Sequence, residues 1–120
     1  MKLLTANLEG MALDWALAKA LQYAPQIQFN SVFVPAATKG IPIDGIVPFD
    51  HTEPALCLKL INEWITEIKK PCDEDPWFAA CGEKHCYGNT LEETVARCVV
   101  TTWFGEWVDM PIELCSMDVL

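Results

Sequence analysis

Leu8-Glu9-Gly10-Met11-Ala12-Leu13-Asp14-Trp15-Ala16-Leu17-Ala18-Lys19-Ala20-Leu21 and Thr90-Leu91-Glu92-Glu93-Thr94-Val95-Ala96-Arg97-Cys98-Val99-Val100-Thr101-Thr102-Trp103-Phe104 are the two stretches whose reading decides the fold. The first is apolar on almost every side. Glu9, Asp14, Lys19 and Gln22 leave only a narrow polar edge, so a helix over about 8–23 should be buried on most sides. Thr5 or Asn7 is placed to cap its start, and Pro25 to stop it. In the second stretch Thr90-Leu91-Glu92-Glu93 fits a capping box, and Gly105 supplies the residue that ends the helix.

Working outward, Lys2–Thr5 reads as a short first strand. Residues 26–34 alternate, with Ile27 and Phe29 in one phase and Val32 and Val34 in the other. That switch after Asn30-Ser31 predicts one strand with a bulge. Residues 35–50 are punctuated by Pro35, Gly40, Pro42, Gly45 and Pro48 and read as an irregular loop. Thr52 is placed to cap a second helix with Pro54 in its first turn, turning Leu56, Leu60 and Ile61 inward.

Residues 64–69 fit a strand by β-branching or two more helical turns by length. A hairpin with 77–80 is the preferred reading, turned by Pro71 and Asp73-Glu74-Asp75. Residues 81–89 read as a loop. The tail, about 106–120, should dock through Trp107, Val108, Ile112 and Leu114. Together these elements predict a single two-layer α+β domain over residues 1–120. Its architecture is a small antiparallel sheet of three to four strands packed against two or three helices.

A chain of 120 residues is long enough to bury roughly two-thirds of its unfolded surface without staples. Eight Lys and Arg stand against seventeen Asp and Glu, a net charge of −9. Such a surface repels a nucleic-acid backbone. The acids are scattered, which disfavours the continuous acidic face of a DNA mimic. No apolar run approaches the ~20 residues that cross a bilayer, and the first residues lack a signal-peptide core. A cytoplasmic location follows as an expectation. Six cysteines without an export signal disfavour a disulfide framework. Cys57, Cys98 and Cys115 sit in apolar settings as small hydrophobes.

Leu8-Glu9-Gly10 through Ala18-Lys19 resembles the "L-T-G-x-A-L-D-W-A-V-A-K" opening of the phage NinX-like proteins. Tyr87-Gly88-Asn89-Thr90-Leu91, Ala96-Arg97-Cys98-Val99 and Phe104-Gly105-Glu106 resemble the closing segment of that family. Asp50-His51-Thr52-Glu53-Pro54-Ala55-Leu56 with Ile61-Asn62-Glu63 resembles its middle more loosely. Residues 26–48 have no clear counterpart, and Cys72, Cys81, His85 and Cys86 are particular to this chain. The resemblance implies a small accessory protein acting in the host cytoplasm, and it implies no reaction.

The chemistry-bearing constellations are few. Cys72, Cys81, His85 and Cys86 offer zinc ligand types but not the spacing of a Cys-x2-Cys knuckle, so no metal is assigned and they stand as the zinc alternative. Asp50 and His51 could form a base and its orienter, but no nucleophile elbow, phosphate loop or dinucleotide fingerprint accompanies them. No enzyme and no cofactor is the reading. Asp14 and Arg97, charges within apolar helices, should meet in a salt bridge between the helices. Alternatively, Arg97 faces a pocket and grips an anion. Trp15, Trp64, Trp77, Trp103 and Trp107 suit core or interface packing, or a stacking wall.

The preferred function is a non-catalytic homo-oligomer. It would sequester a small, nucleotide-derived host immune signal through Trp15, Lys19, His51, Thr52, Asn89, Thr90 and Arg97. The alternative is an acidic adaptor or inhibitor docking on a host or phage enzyme. Neither nucleic acid nor membrane is an expected partner.

Overall fold

The computed structural model describes residues 1–70 and 74–117, with the side chains of 115–117 outside the description. Its elements are β1 (Lys2–Leu4), α1 (Gly10–Ala20), β2 (Gln26–Gln28), β3 (Ser31–Pro35), β4 (Ile46–Pro48), α2 (Pro54–Trp64), β5 (Glu67–Lys69), β6 (Trp77–Cys81), β7 (Lys84–Gly88), α3 (Leu91–Phe104), β8 (Trp107–Asp109) and α4 (Ile112–Met117). The fold is α+β. Its strands are divided among three small antiparallel sheets, β1-β8, β2-β3-β4 and β5-β6-β7, rather than gathered into one.

The core is the seam between α1 and α3. Leu13, Ala16, Leu17 and Ala18 of α1 are fully buried with Val95, Ala96, Val99 and Val100 of α3. The alanines are small, so large aliphatic neighbours can fill the space between the helices without strain. Leu60 of α2, Val32 and Val34 of β3, Val108 and Met110 join the same cluster. Each buried Leu or Val contributes about 1.5–3 kcal/mol relative to exposure.

The helix ends differ in part from expectation. Residue 9, not Thr5 or Asn7, precedes α1, and no side chain caps it. Thr5 is committed elsewhere: its hydroxyl donates to the Gly105 carbonyl at 2.7 Å and accepts from Thr101 Oγ1 at 3.0 Å. Glu53 rather than Thr52 precedes α2, while Pro54 takes its first turn. α1 ends before Pro25. The Tyr23 N–H donates to the Ala18 carbonyl at 2.9 Å, and that of Gln22 to Lys19 at 3.0 Å. This is a Schellman closure, with Gln22 (φ +62) in the left-handed position that glycine usually fills.

Residues 26–34 form a hairpin instead of a bulged strand. Gln28 pairs with Ser31, leaving a two-residue turn at Phe29-Asn30. Both turn residues have positive φ, +51 and +57, as a type I′ turn requires. The phase switch in the sequence was this turn. The left-handed conformation costs an ordinary L-residue roughly 1–2 kcal/mol, and Phe29 is 90% exposed.

The expected loop at 35–50 contains a 3-10 turn (Ala36–Lys39) and β4, which pairs with β3. The expected loop at 81–89 contains β7, joined to β6 through Gly82 (φ +61) at the first turn position. Residues 67–69 form the strand of the preferred hairpin. Pro71, Cys72 and Asp73 of its turn lie outside the described residues.

In the tail, β8 pairs with β1, and Val108 and Leu114 are buried. Trp107 (50% exposed) and Ile112 (74%) do not dock, contrary to expectation. Alternation explains Trp107: its neighbour Val108 takes the inward face. Among the described residues, no helix is long and apolar enough to cross a membrane.

Candidate functional site

The seven residues singled out in the sequence fall into three groups. Asn89 and Arg97 line one cleft of about 470 Å³, where the end of β7 meets the start of α3. His85, Tyr87 and Gly88 line it from β7, Asn7 from beyond β1, and Pro76 from before β6. Thr90 sits at its margin as the cap of α3, its hydroxyl accepting from the Glu93 N–H at 3.1 Å. Glu93 does not complete the reciprocal half of a capping box, because its carboxylate lies 2.8 Å from Arg97 Nη1.

Arg97 does not pair with Asp14. Its Nε–H donates to the Leu8 carbonyl at 2.7 Å and Nη1 to the Tyr87 carbonyl at 2.9 Å. The guanidinium thus ties the approach to α1 and the end of β7 to α3. Its side chain is only 12% exposed. Nη2 makes no hydrogen bond to another described residue. The close approach of β7 to α3 also explains Gly88: a Cβ there would lie 2.6 Å from Thr94 Oγ1 and 3.1 Å from Thr94 N.

Asp14 instead holds His51. Asp14 Oδ1 accepts from the His51 backbone N–H at 2.7 Å and from Nδ1–H at 2.5 Å. The expected Asp50–His51 pairing is therefore replaced by a latch between α1 and the chain leading into α2. Asp50 turns to Thr52, accepting from its N–H at 2.8 Å and its hydroxyl at 2.7 Å. The Thr52 hydroxyl bond, more than any other contact, holds the Asp50 carboxyl below its usual range. Asp14, Asp50 and His51 place ligand atoms within 4.8 Å of one another, but the first two carboxylates are spoken for by these bonds. Trp15 and Lys19 form a third group on α1, with Lys19 Nζ 5.7 Å from the Trp15 ring centroid. Such an exposed cation–π pair contributes about 0.5–1 kcal/mol.

The zinc alternative is not assembled among the described residues. Cys86 faces inward, packing with Ala79 and Cys98 and near Cys81. His85, one residue away on the strand, points to the opposite face and stacks on Phe78. Cys72 lies outside the described residues. Burial pushes the Cys86 thiol up, and burial with the neighbouring Cys86 and Cys81 thiols pushes Cys98 up to about 12. Protonated thiols are poor metal ligands.

Sequence reasoning missed the surface that adjoins the Arg97 cleft. On the outer face of β6 and β7, Phe78 lies 5.6 Å from His85 and 5.4 Å from Tyr87, centroid to centroid, and His85 lies 5.9 Å from Tyr87. Tyr87 and His85 are exposed. A second cleft of about 430 Å³, lined by Lys69, Asp75, Pro76, Phe78 and Tyr87, continues from the first through Pro76 and Tyr87. Lys69 is paired with Glu67 at 2.8 Å. The signal was present in the alternation of His85 and Tyr87 around Cys86, after a glycine at a turn position.

A further cleft of about 500 Å³ lies beside α2, lined by Tyr23, Lys39, Phe49, Glu53 and Lys59 among others. There Lys39 is neutralised by Glu53 at 3.0 Å, and Lys59 donates to the Tyr23 hydroxyl at 3.3 Å. No protein-family model matches the chain, and no curated protein matches it.

Proposed function

We propose that the protein is a non-catalytic binder of a small planar ligand, recognised by stacking on Phe78, His85 and Tyr87. The observation that supports this reading is the three-ring cluster on an exposed sheet face, flanked by two clefts that share Pro76 and Tyr87. Cross-strand aromatic pairs stabilise a hairpin, yet such pairs reach that end equally well on a face without clefts. Stacking a base on an aromatic side chain contributes about 1–3 kcal/mol.

The local charge selects the kind of ligand. Both cations beside the rings already face carboxylates, Lys69 with Glu67 and Arg97 with Glu93. The chain carries a net −9. The ligand is therefore held by its ring system, with at most one anionic group reaching Asn89 and Arg97 Nη2. A nucleotide-derived molecule has that form. Joined to the resemblance to phage NinX-like proteins, this supports sequestration of a host nucleotide signal in the host cytoplasm. Trp15, Lys19, His51 and Thr52 have structural work elsewhere and drop out of the site.

The test is a titration with adenosine, guanosine and their monophosphates, followed by amide NMR shifts. Shifts clustered on 76–89, and lost in Tyr87→Ala, support the reading. A protein that responds to none of these probes, or responds equally with and without Tyr87, contradicts it. The second reading is a protein-binding adaptor, favoured by half-exposed Trp107 and exposed Ile112, two large apolar side chains of the same C-terminal segment left in solvent. It predicts a stable complex lost in Trp107→Ala.

A further inference from the structure

The hairpin β2–β3 combines two features that each work against folding. Phe29 exposes its ring almost completely, and its backbone occupies a left-handed conformation that aromatic residues rarely adopt. The type I′ turn prefers Asn, Asp or Gly at this position, and the adjoining residue is indeed Asn30. A bulky apolar ring at such a position is explained by something the ring does outside its own chain.

The surroundings specify the partner. Residues 20–38 contain no Asp, Glu, Lys, Arg or His. β3 turns Val32 and Val34 into the core. The opposite face of the sheet presents Gln26, Gln28, Phe33 and Pro48 in register, exposed or half-buried and uncharged. On a chain of net −9, most ways of bringing two copies together oppose carboxylates. None of Gln26, Gln28, Phe29, Phe33 and Pro48 carries a charge, and the charges at the Pro48 edge include the paired Lys39 and Glu53, with Lys39 Nζ 3.4 Å from the Pro48 carbonyl. A two-fold axis brings such a surface against itself.

We infer that the outer face of β2-β3-β4, with Phe29 at its tip, is the contact surface for a second copy of this chain. The ring is the anchor, and the amides of Gln26 and Gln28 supply the polar surround. Aromatic anchors within a polar rim are the usual energetic centres of such contacts. The inference is independent of the ligand reading, because the ring cluster lies on a different sheet.

Sedimentation velocity over a concentration series tests it. Wild-type protein is expected to dimerise reversibly. Phe29→Asn places a favoured residue in the turn, so the fold is kept, and the dissociation constant rises by at least about tenfold. Gln28→Glu and Gln28→Lys each weaken association, and mixing the two variants restores it. Tyr87→Ala leaves association unchanged. A wild-type chain that stays monomeric throughout, or a Phe29→Asn variant that associates as well as wild type, overturns the assignment. The first result hands the face to a different protein, and the second hands dimerisation to another surface.

Discussion

Replacing Arg97 tests whether this residue is a structural tie. Arg97→Met keeps a long apolar stem and deletes the guanidinium. The Leu8 carbonyl then loses a charged donor at 2.7 Å, the Tyr87 carbonyl loses one at 2.9 Å, and Glu93 loses its counter-ion at 2.8 Å. A hydrogen bond to a charged group contributes about 1.5–3 kcal/mol, so two would give about 3–6 kcal/mol. Tyr87 is exposed, so water can replace its bond, which reduces the expected loss to about 2–4 kcal/mol.

Urea unfolding followed by circular dichroism reads this directly, with an unchanged slope as the check on two-state behaviour. A fall in Tm of roughly 10 °C accompanies it. Arg97→Lys should lie between, because an ammonium cannot span two carbonyls as the planar fork does. An Arg97→Met variant within about 0.5 kcal/mol of wild type, the range of an ordinary surface substitution, would refute the clamp. It would leave Arg97 free for a ligand.

Two further predictions concern the same region. Gly88→Ala should cost about 1–3 kcal/mol as an overpacked contact, because the new Cβ meets Thr94 Oγ1. Adding Thr94→Ala to Gly88→Ala should recover part of that loss in the same denaturation assay. Cys98 gives a pH dependence. Burial raises its thiol from the ordinary 9.0 to about 12, so between those values the unfolded chain has lost a proton that the folded one keeps. Stability is full below pH 9 and falls as pH rises toward 12. Urea midpoints at rising pH check this, and Cys98→Ala should flatten the slope.

The seam of α1 and α3 was legible in the sequence because both helices are apolar around most of their circumference, a property that survives any packing arrangement. The Thr90 cap was legible for the same local reason. The two expected loops were misread because their strands are short. Three residues of β4 give little periodicity, and the five of β7 give only the alternation of His85 and Tyr87 around Cys86, so partners from elsewhere in the chain decide their state.

The Asp14–Arg97 pairing failed for a related reason. Each charge was correctly identified as needing a partner, but sequence does not rank His51 against Arg97, or Glu93 against Asp14, across a fold not yet built. Phe78, His85 and Tyr87 were unreadable as a cluster until β6 and β7 were placed in register. The thiols were easier: Cys57 and Cys98 are buried as their apolar neighbours implied.

On the proposed reading the Phe78–His85–Tyr87 surface holds a small organic ligand. Native mass spectrometry of protein gently purified from bacteria expressing nucleotide-signalling defences addresses it most directly. The expected result is a discrete species carrying an additional organic mass that is absent from Tyr87→Ala prepared alongside. A bare chain in both preparations, or the same bound mass in both, would contradict it.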